Sequence, residues 1–201
     1  MTSTTAQQVL DIVRNAGMVR GRDIAALGIS PTHLQRLYEQ GLLVRSGRGV
    51  YLPAEADIDA NASVAEVALR VPAGVVCLLS ALQFHGLTTQ SPHQVWIALP
   101  LRANTPRLDY PPLRVVHLSG EALIEGIEVH QVGGATVHVY SPAKTVADCF
   151  KFRNKVGLDV ALEALRDTWS KRRTTVDELW HYATICSVAR IMRPYLESIA
   201  T

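Results

Sequence analysis

The chain has little of what would mark it as a secreted scaffold, a membrane protein or a typical enzyme. Only three of its 201 residues are cysteine, Cys77, Cys149 and Cys186. The number is odd and no C-x-x-C pair occurs. Each lies in an apolar stretch, which predicts buried, reduced thiols and excludes a disulfide framework. Long apolar runs are missing. Val75 to Leu79 is typical of the longest, far short of the ~20 residues a membrane helix needs. The N-terminus is polar from Thr2 to Gln8, unlike a secretory signal. Charge of one sign is missing too, since 20 basic residues face 18 acidic ones. These absences predict a cytoplasmic globular protein with no membrane contact.

Catalytic motifs are equally scarce. Neither G-x-x-x-x-G-K-[ST] nor G-x-G-x-x-G is present, and Gly133-Gly134 reads better as a hairpin turn than as a phosphate cradle. His117, His130 and His138 suggest a metal at first sight. Across a two-residue turn, however, His130 pairs with Val137 and His138 with Val129. The two histidines then point to opposite faces, and a metal needs them to converge. His85, beside Gly86, reads as a helix end, and His181, between Trp180 and Tyr182, as packing. Glu125 and Glu128 lack a lysine placed to complete a nuclease-like set. Ser119-Gly120-Glu121 reverses the Gly-Ser of a nucleotidyltransferase and lacks its second acid. Lys144 and Asp148, four residues apart, read as a surface helix pair, as do Asp159 and Glu163 with Arg166. The expectation is no catalytic residue, no metal and no cofactor.

What is present lies first in the distribution of charge. From Met1 to Leu52 six arginines (14, 20, 22, 36, 45 and 48) outnumber Asp11, Asp23 and Glu39, a surplus of three positive charges. The remainder is one unit negative. A basic segment on a balanced one fits a small nucleic-acid module joined to a neutral domain. Val9, Ile12, Val13 and Ala16 keep helical spacing and stop at Gly17. A second short helix spans about Arg20 to Leu27. A third is expected from an N-cap at Ser30 with Pro31 in its first turn, ending at Gly41. Leu34, Leu37 and Tyr38 form its apolar stripe. Leu42 to Arg45 and Val50 to Leu52, around Ser46-Gly47-Arg48-Gly49, read as a hairpin.

Three helices and a hairpin are the winged helix-turn-helix order. On the third helix Thr32, His33, Gln35 and Arg36 face away from the apolar stripe, where they can bond base edges or phosphates. Arg20 and Arg22 open the second helix, where phosphates are favoured, and Arg45 and Arg48 lie on the wing. The predicted fold class is α+β: a winged helix at 1–53, a linker at 54–61, and a mixed α/β domain at 62–201 with a small sheet and a helical group. Helices are expected over Val64–Val71, Cys77–His85 and Pro142–Phe152, then in three later segments marked by Leu158, Val176 and Val188. Strands are expected at Val95–Leu99, Leu113–Leu118, Ile127–Val132 and Thr136–Tyr140. Lys151, Arg153 and Lys155 form a second basic cluster, either helix-end cations or a secondary basic surface.

The run from Gly17 to Leu52, GMVRGRDIAALGISPTHLQRLYEQGLLVRSGRGVYL, resembles the N-terminal domain of the AbiEi antitoxins of type IV (AbiE) toxin–antitoxin systems. CLLSALQFHGL (Cys77 to Leu87), YSPAKTVAD (Tyr140 to Asp148) and the helix from Phe150 to Asp167 are similar to later parts of that family. The resemblance implies an autorepressor that binds inverted repeats in duplex operator DNA, with Arg20, Arg22, Thr32, Gln35, Arg36, Arg45 and Arg48 as contacts. It also implies a C-terminal domain that counteracts a nucleotidyltransferase-like toxin. In such systems antitoxin and toxin need not form a stable complex, so direct contact is not implied. Two alternatives are a winged-helix regulator with a ligand-sensing second domain and an enzyme with a DNA-tethering domain.

Overall fold

Amphipathic periodicity builds the N-terminal segment. α1 (Thr5–Ala16) buries Val9, Leu10 and Val13, and α3 (Thr32–Glu39) buries Leu34 and Leu37. Between them lie β1 (Val19–Arg20) and α2 (Gly21–Ala26), and after them β2 (Leu43–Gly47) and β3 (Val50–Pro53). The strands form a sheet in the order β1-β3-β2, antiparallel throughout, with a register shift between Arg45 and Gly47. Val9, Leu10, Val13, Val19, Ile24, Leu34, Leu37, Leu43 and Tyr51 close one core. The computed structural model describes residues 5–47, 49–54, 61–108 and 110–199. Arg48 and most of the expected linker (55–60) lie outside the described residues.

The second segment is built on a five-stranded mixed sheet in the order β6-β5-β4-β8-β7, with β4 (Val75–Val76), β5 (Val95–Pro100), β6 (Leu113–Leu118), β7 (Ile127–Val132) and β8 (Ala135–Tyr140). Alternating residues of its inner strands enter two cores. Trp96 and Ala98 join one core, under α5 (Leu78–Phe84), α7 (Pro142–Lys151), α9 (Leu158–Ser170), α10 (Val176–Ile185) and α11 (Ala189–Ile199). Val95, Ile97 and Leu99 join the other, under α4 (Ala62–Arg70). Covered on both faces, β5 reads as a continuous apolar run, VWIALP. The turns α6 (Glu121–Ile124) and α8 (Arg153–Val156) fill connections.

The second of these cores also takes in Met18, Val50 and Leu52 from the N-terminal segment. At the same junction the β7–β8 turn approaches the end of α1. Gly133 and Gly134 both have positive φ, and a Cβ on Gly134 would overlap the carbonyl oxygen of Ala16. Glycine is therefore required at Gly134 both for the turn and for the close approach of two backbones.

Several expectations change on contact with the structure. The strands β1 and β4 are two residues long, too short to carry a periodic signal in the sequence. α3 starts at Thr32, not at a Ser30 cap: Ser30 Oγ lies 3.4 Å from the Thr32 amide, and a turn at Pro31 precedes the helix. Tyr38 is not in the core stripe but 41 % exposed, edge-to-face with Tyr51 at 6.4 Å. Pro194 lies inside α11. His181 is exposed, its ring 5.0 Å from that of Tyr182.

The largest difference concerns Lys144 and Asp148. They are not a surface pair. Lys144 Nζ donates to Asp148 Oδ2 at 2.6 Å, with the two side chains 0 % and 1 % exposed. Lys144 also lies over the Tyr140 ring at 4.0 Å, and Cys186 Sγ donates to Asp148 Oδ1 at 3.3 Å. Burial pushes the Asp148 carboxyl above its ordinary range, with the adjacent ammonium opposing it. All three cysteines are free and buried, and burial pushes their thiols up, Cys186 to about 12. Such thiols are inert rather than nucleophilic.

Candidate nucleic-acid interface

α3 has one buried and one solvent-facing side, and the second is polar. Leu34 and Leu37 are buried, while Thr32, Gln35, Arg36 and Glu39 are exposed and His33 is half-buried. The exposed groups are partly organised. Tyr51 Oη donates to Gln35 Oε1 at 3.3 Å, and Gln35 Nε2 donates to Glu39 Oε1 at 2.9 Å. The Thr32 and Ser30 hydroxyls are 2.8 Å apart. The β2–β3 hairpin thus braces the helix face through Tyr51 and orients the Gln35 amide. Arg45 is exposed on β2, opposite Tyr51 in the register.

Arg20 and Arg22 open α2 differently. The Arg22 side chain is 67 % exposed, with Nε 3.7 Å from Asp23 Oδ1. Arg20 is only 20 % exposed. Its Nε and Nη2 donate to the two Asp23 carboxylate oxygens at 3.1 and 3.3 Å, its backbone amide donates to Oδ2 at 2.9 Å, and Nη1 donates to the Leu69 carbonyl on α4. Burial raises the Asp23 carboxyl, but the Arg20 hydrogen bonds and charge outweigh it and hold the group below its ordinary range. Asp23 thus accepts the Arg20 backbone amide at the start of α2, and the Arg20 side chain ties the N-terminal segment to the second one.

The remaining candidates lie elsewhere. Lys151 ends α7, Arg153 Nη1 donates to the Phe150 carbonyl at 3.0 Å, and Lys155 Nζ sits 5.4 Å from the Phe152 ring centroid. Arg153 thus bonds the local helix end, while Lys155 is exposed. His130 and His138 take the register expected of them, opposite Val137 and Val129. His130 contacts Glu128 at 3.1 Å, and its ring lies 6.3 Å from that of His85. Among the described residues no group of three or more His, Cys, Asp or Glu is placed to hold a metal, and no helix is long and apolar enough to cross a membrane. Sequence reasoning missed Arg70, which lines one groove at the junction together with Arg20 and Arg22. An arginine in the last turn of a short helix looks like an ordinary end-of-helix cation.

A polar helix face beside a braced hairpin now has a counterpart among known families. Residues 7–54 match the family described as transcriptional regulator, AbiEi antitoxin. That AbiEi-type segment runs from within α1 to the end of the β2–β3 hairpin, so the exposed α3 face lies wholly inside it. No curated protein matches the chain. Among solved structures, the crystal structure of the RV2827C protein from Mycobacterium tuberculosis is similar over 92 % of this chain and 72 % of that one, with a TM-score of 0.61 and 16 % identity. At that identity the likeness establishes a shared fold spanning both segments, and function must be argued from the sites.

Proposed function

We propose that the AbiEi-type segment is a winged helix-turn-helix and that the protein is an operator-binding autorepressor and antitoxin of a type IV toxin–antitoxin pair. In this reading α3 enters the major groove with Thr32, His33, Gln35 and Arg36 toward base edges, and Arg22 and the β2–β3 hairpin contact the backbone. The second segment counteracts a nucleotidyltransferase-like toxin. The protein works in the cytoplasm by binding, without catalysis or cofactor. One observation carries the reading: the segment that matches a transcriptional-regulator family presents Thr32, Gln35 and Arg36 together on the exposed side of a helix whose other side is core.

The test uses the full chain and the promoter of its own gene. Footprinting is expected to protect two half-sites whose centres lie about 34–36 Å apart, or a multiple of that distance. Arg36→Ala is expected to weaken protection by about 1–3 kcal/mol. The same variant, co-expressed with a nucleotidyltransferase-like toxin encoded beside it, is expected to lose repression and keep toxin rescue. Rescue lost together with repression would overturn the division of labour between the segments.

A further inference from the structure

We infer that the groove where the two segments meet is a phosphate-binding site, and that the second segment contributes Arg70 to it. This rests on the DNA-binding reading of the N-terminal segment and extends that interface across the junction. The groove, about 400 Å³, is lined by Arg20, Gly21, Arg22, Gly49, Val50 and Arg70. It adjoins the start of the proposed recognition helix, because a Cβ added to Gly21 would stand 3.5 Å from Pro31 Cβ. Neither Gly21 nor Gly49 puts a side chain into the space, so an anion can approach the backbone closely.

Three guanidiniums meet two carboxylates here, Asp23 and Glu66. Arg70 Nη2 lies 2.6 Å from Glu66 Oε1, and Arg70 Nη1 donates to the Tyr110 carbonyl at 3.0 Å. The Glu66 side chain is 0 % exposed, so its charge lies behind Arg70 and not in the groove. A guanidinium has five N–H donors. The contacts just described leave donors on both Arg20 and Arg70. Both side chains are already immobilised by protein partners, Arg20 at 20 % and Arg70 at 14 % exposure. An incoming phosphate therefore meets two guanidiniums already held in place and the exposed Arg22, at little further cost in side-chain entropy. Arginine forks match the geometry of phosphate oxygens and bond them with charge assistance. A backbone phosphate of the duplex gripped by α3 is the occupant the position favours.

The experiment measures duplex binding by fluorescence anisotropy across a salt series with the full-length chain. Glu66→Gln/Arg70→Met removes the buried pair without changing net charge, and its melting transition checks that it folds. It is expected to lower the slope of log K against log salt by ~0.9, one phosphate contact on duplex DNA. Arg70→Lys, which keeps the charge, is expected to restore most of the slope. If Arg36→Ala weakens binding while the double variant leaves the slope unchanged, the groove is not a phosphate site although the DNA-binding reading stands. If the wild-type chain binds no duplex at any salt, that reading itself falls. Inorganic phosphate, exchanged for chloride at equal ionic strength, then decides the groove. A melting temperature raised in the wild type alone assigns the site to a free phosphoryl ligand, and no rise overturns it.

Discussion

In the AbiEi-type segment the polar side chains face water: Arg22, Thr32, Gln35, Arg36 and Glu39 are exposed over a core made wholly of apolar groups and Tyr51. In the second segment polar groups go inside. Glu66, Lys144 and Asp148 are fully buried, and each is matched to a partner. The contrast separates two uses of charge. An exposed arginine costs the fold almost nothing and stays available to a ligand. A buried ion pair adds little net stability, but removing one member strands the other in a low-dielectric interior. Substitutions on the exposed α3 face should therefore change binding and spare stability, and substitutions at the Lys144–Asp148 pair should do the reverse.

The sharpest way to break this contrast is at α7. Asp148→Asn is expected to cost about 3–5 kcal/mol in urea unfolding, because Lys144 loses its partner. Lys144→Met/Asp148→Leu is expected to recover most of that loss. A cost of a few tenths of a kcal/mol for Asp148→Asn would return the pair to the surface. Next comes the junction. Gly134→Ala is expected to destabilise by about 1–3 kcal/mol, since the new Cβ meets the Ala16 carbonyl at a positive φ. An unchanged melting temperature would mean that the turn does not press against α1.

The smallest effect is one of pH. Burial holds the His85 ring below the ordinary histidine range, against the pull of the Tyr140 carbonyl and Glu128. His130 and Arg173 push the same way as burial. Nε2 lies 2.8 Å from the Tyr140 carbonyl oxygen, so the neutral ring donates from that nitrogen. Its folded value is lowered, so the unfolded chain takes up the proton first as pH falls. This contribution to stability is present above about pH 6.5 and is lost as pH falls through and below that value. His85→Gln should flatten the dependence. A wild-type stability independent of pH between 7.5 and 5.5 would contradict it.

The contrast also explains what could be read from the chain. Residues that face water or core at helical spacing were legible: the α3 face, the α1 stripe and the Gly133-Gly134 hairpin all follow from period and turn chemistry. Lys144 and Asp148 were not, because four-residue spacing says that two side chains meet and not on which side of the helix. A signal was there. Between Pro142 and Phe150 they are the only charges, so α7 has no polar face to turn outward and is buried all round. The groove at the junction was illegible for another reason. Arg22 and Arg70 are 48 positions apart, and tertiary contacts, the packing of Met18, Val50 and Leu52 into the second segment's core and the Arg20 bond to the Leu69 carbonyl, bring them together.

The central claim is that the AbiEi-type segment binds duplex DNA through α3. The most direct measurement is the affinity of the full chain for its own promoter fragment and for a scrambled duplex of equal length, each over a salt series. The account predicts tighter binding to the promoter at every salt concentration, a linear fall of log K with log salt for both, and a preference that shrinks in Arg36→Ala. Equal affinity for the two duplexes, unchanged by Arg36→Ala, would contradict it.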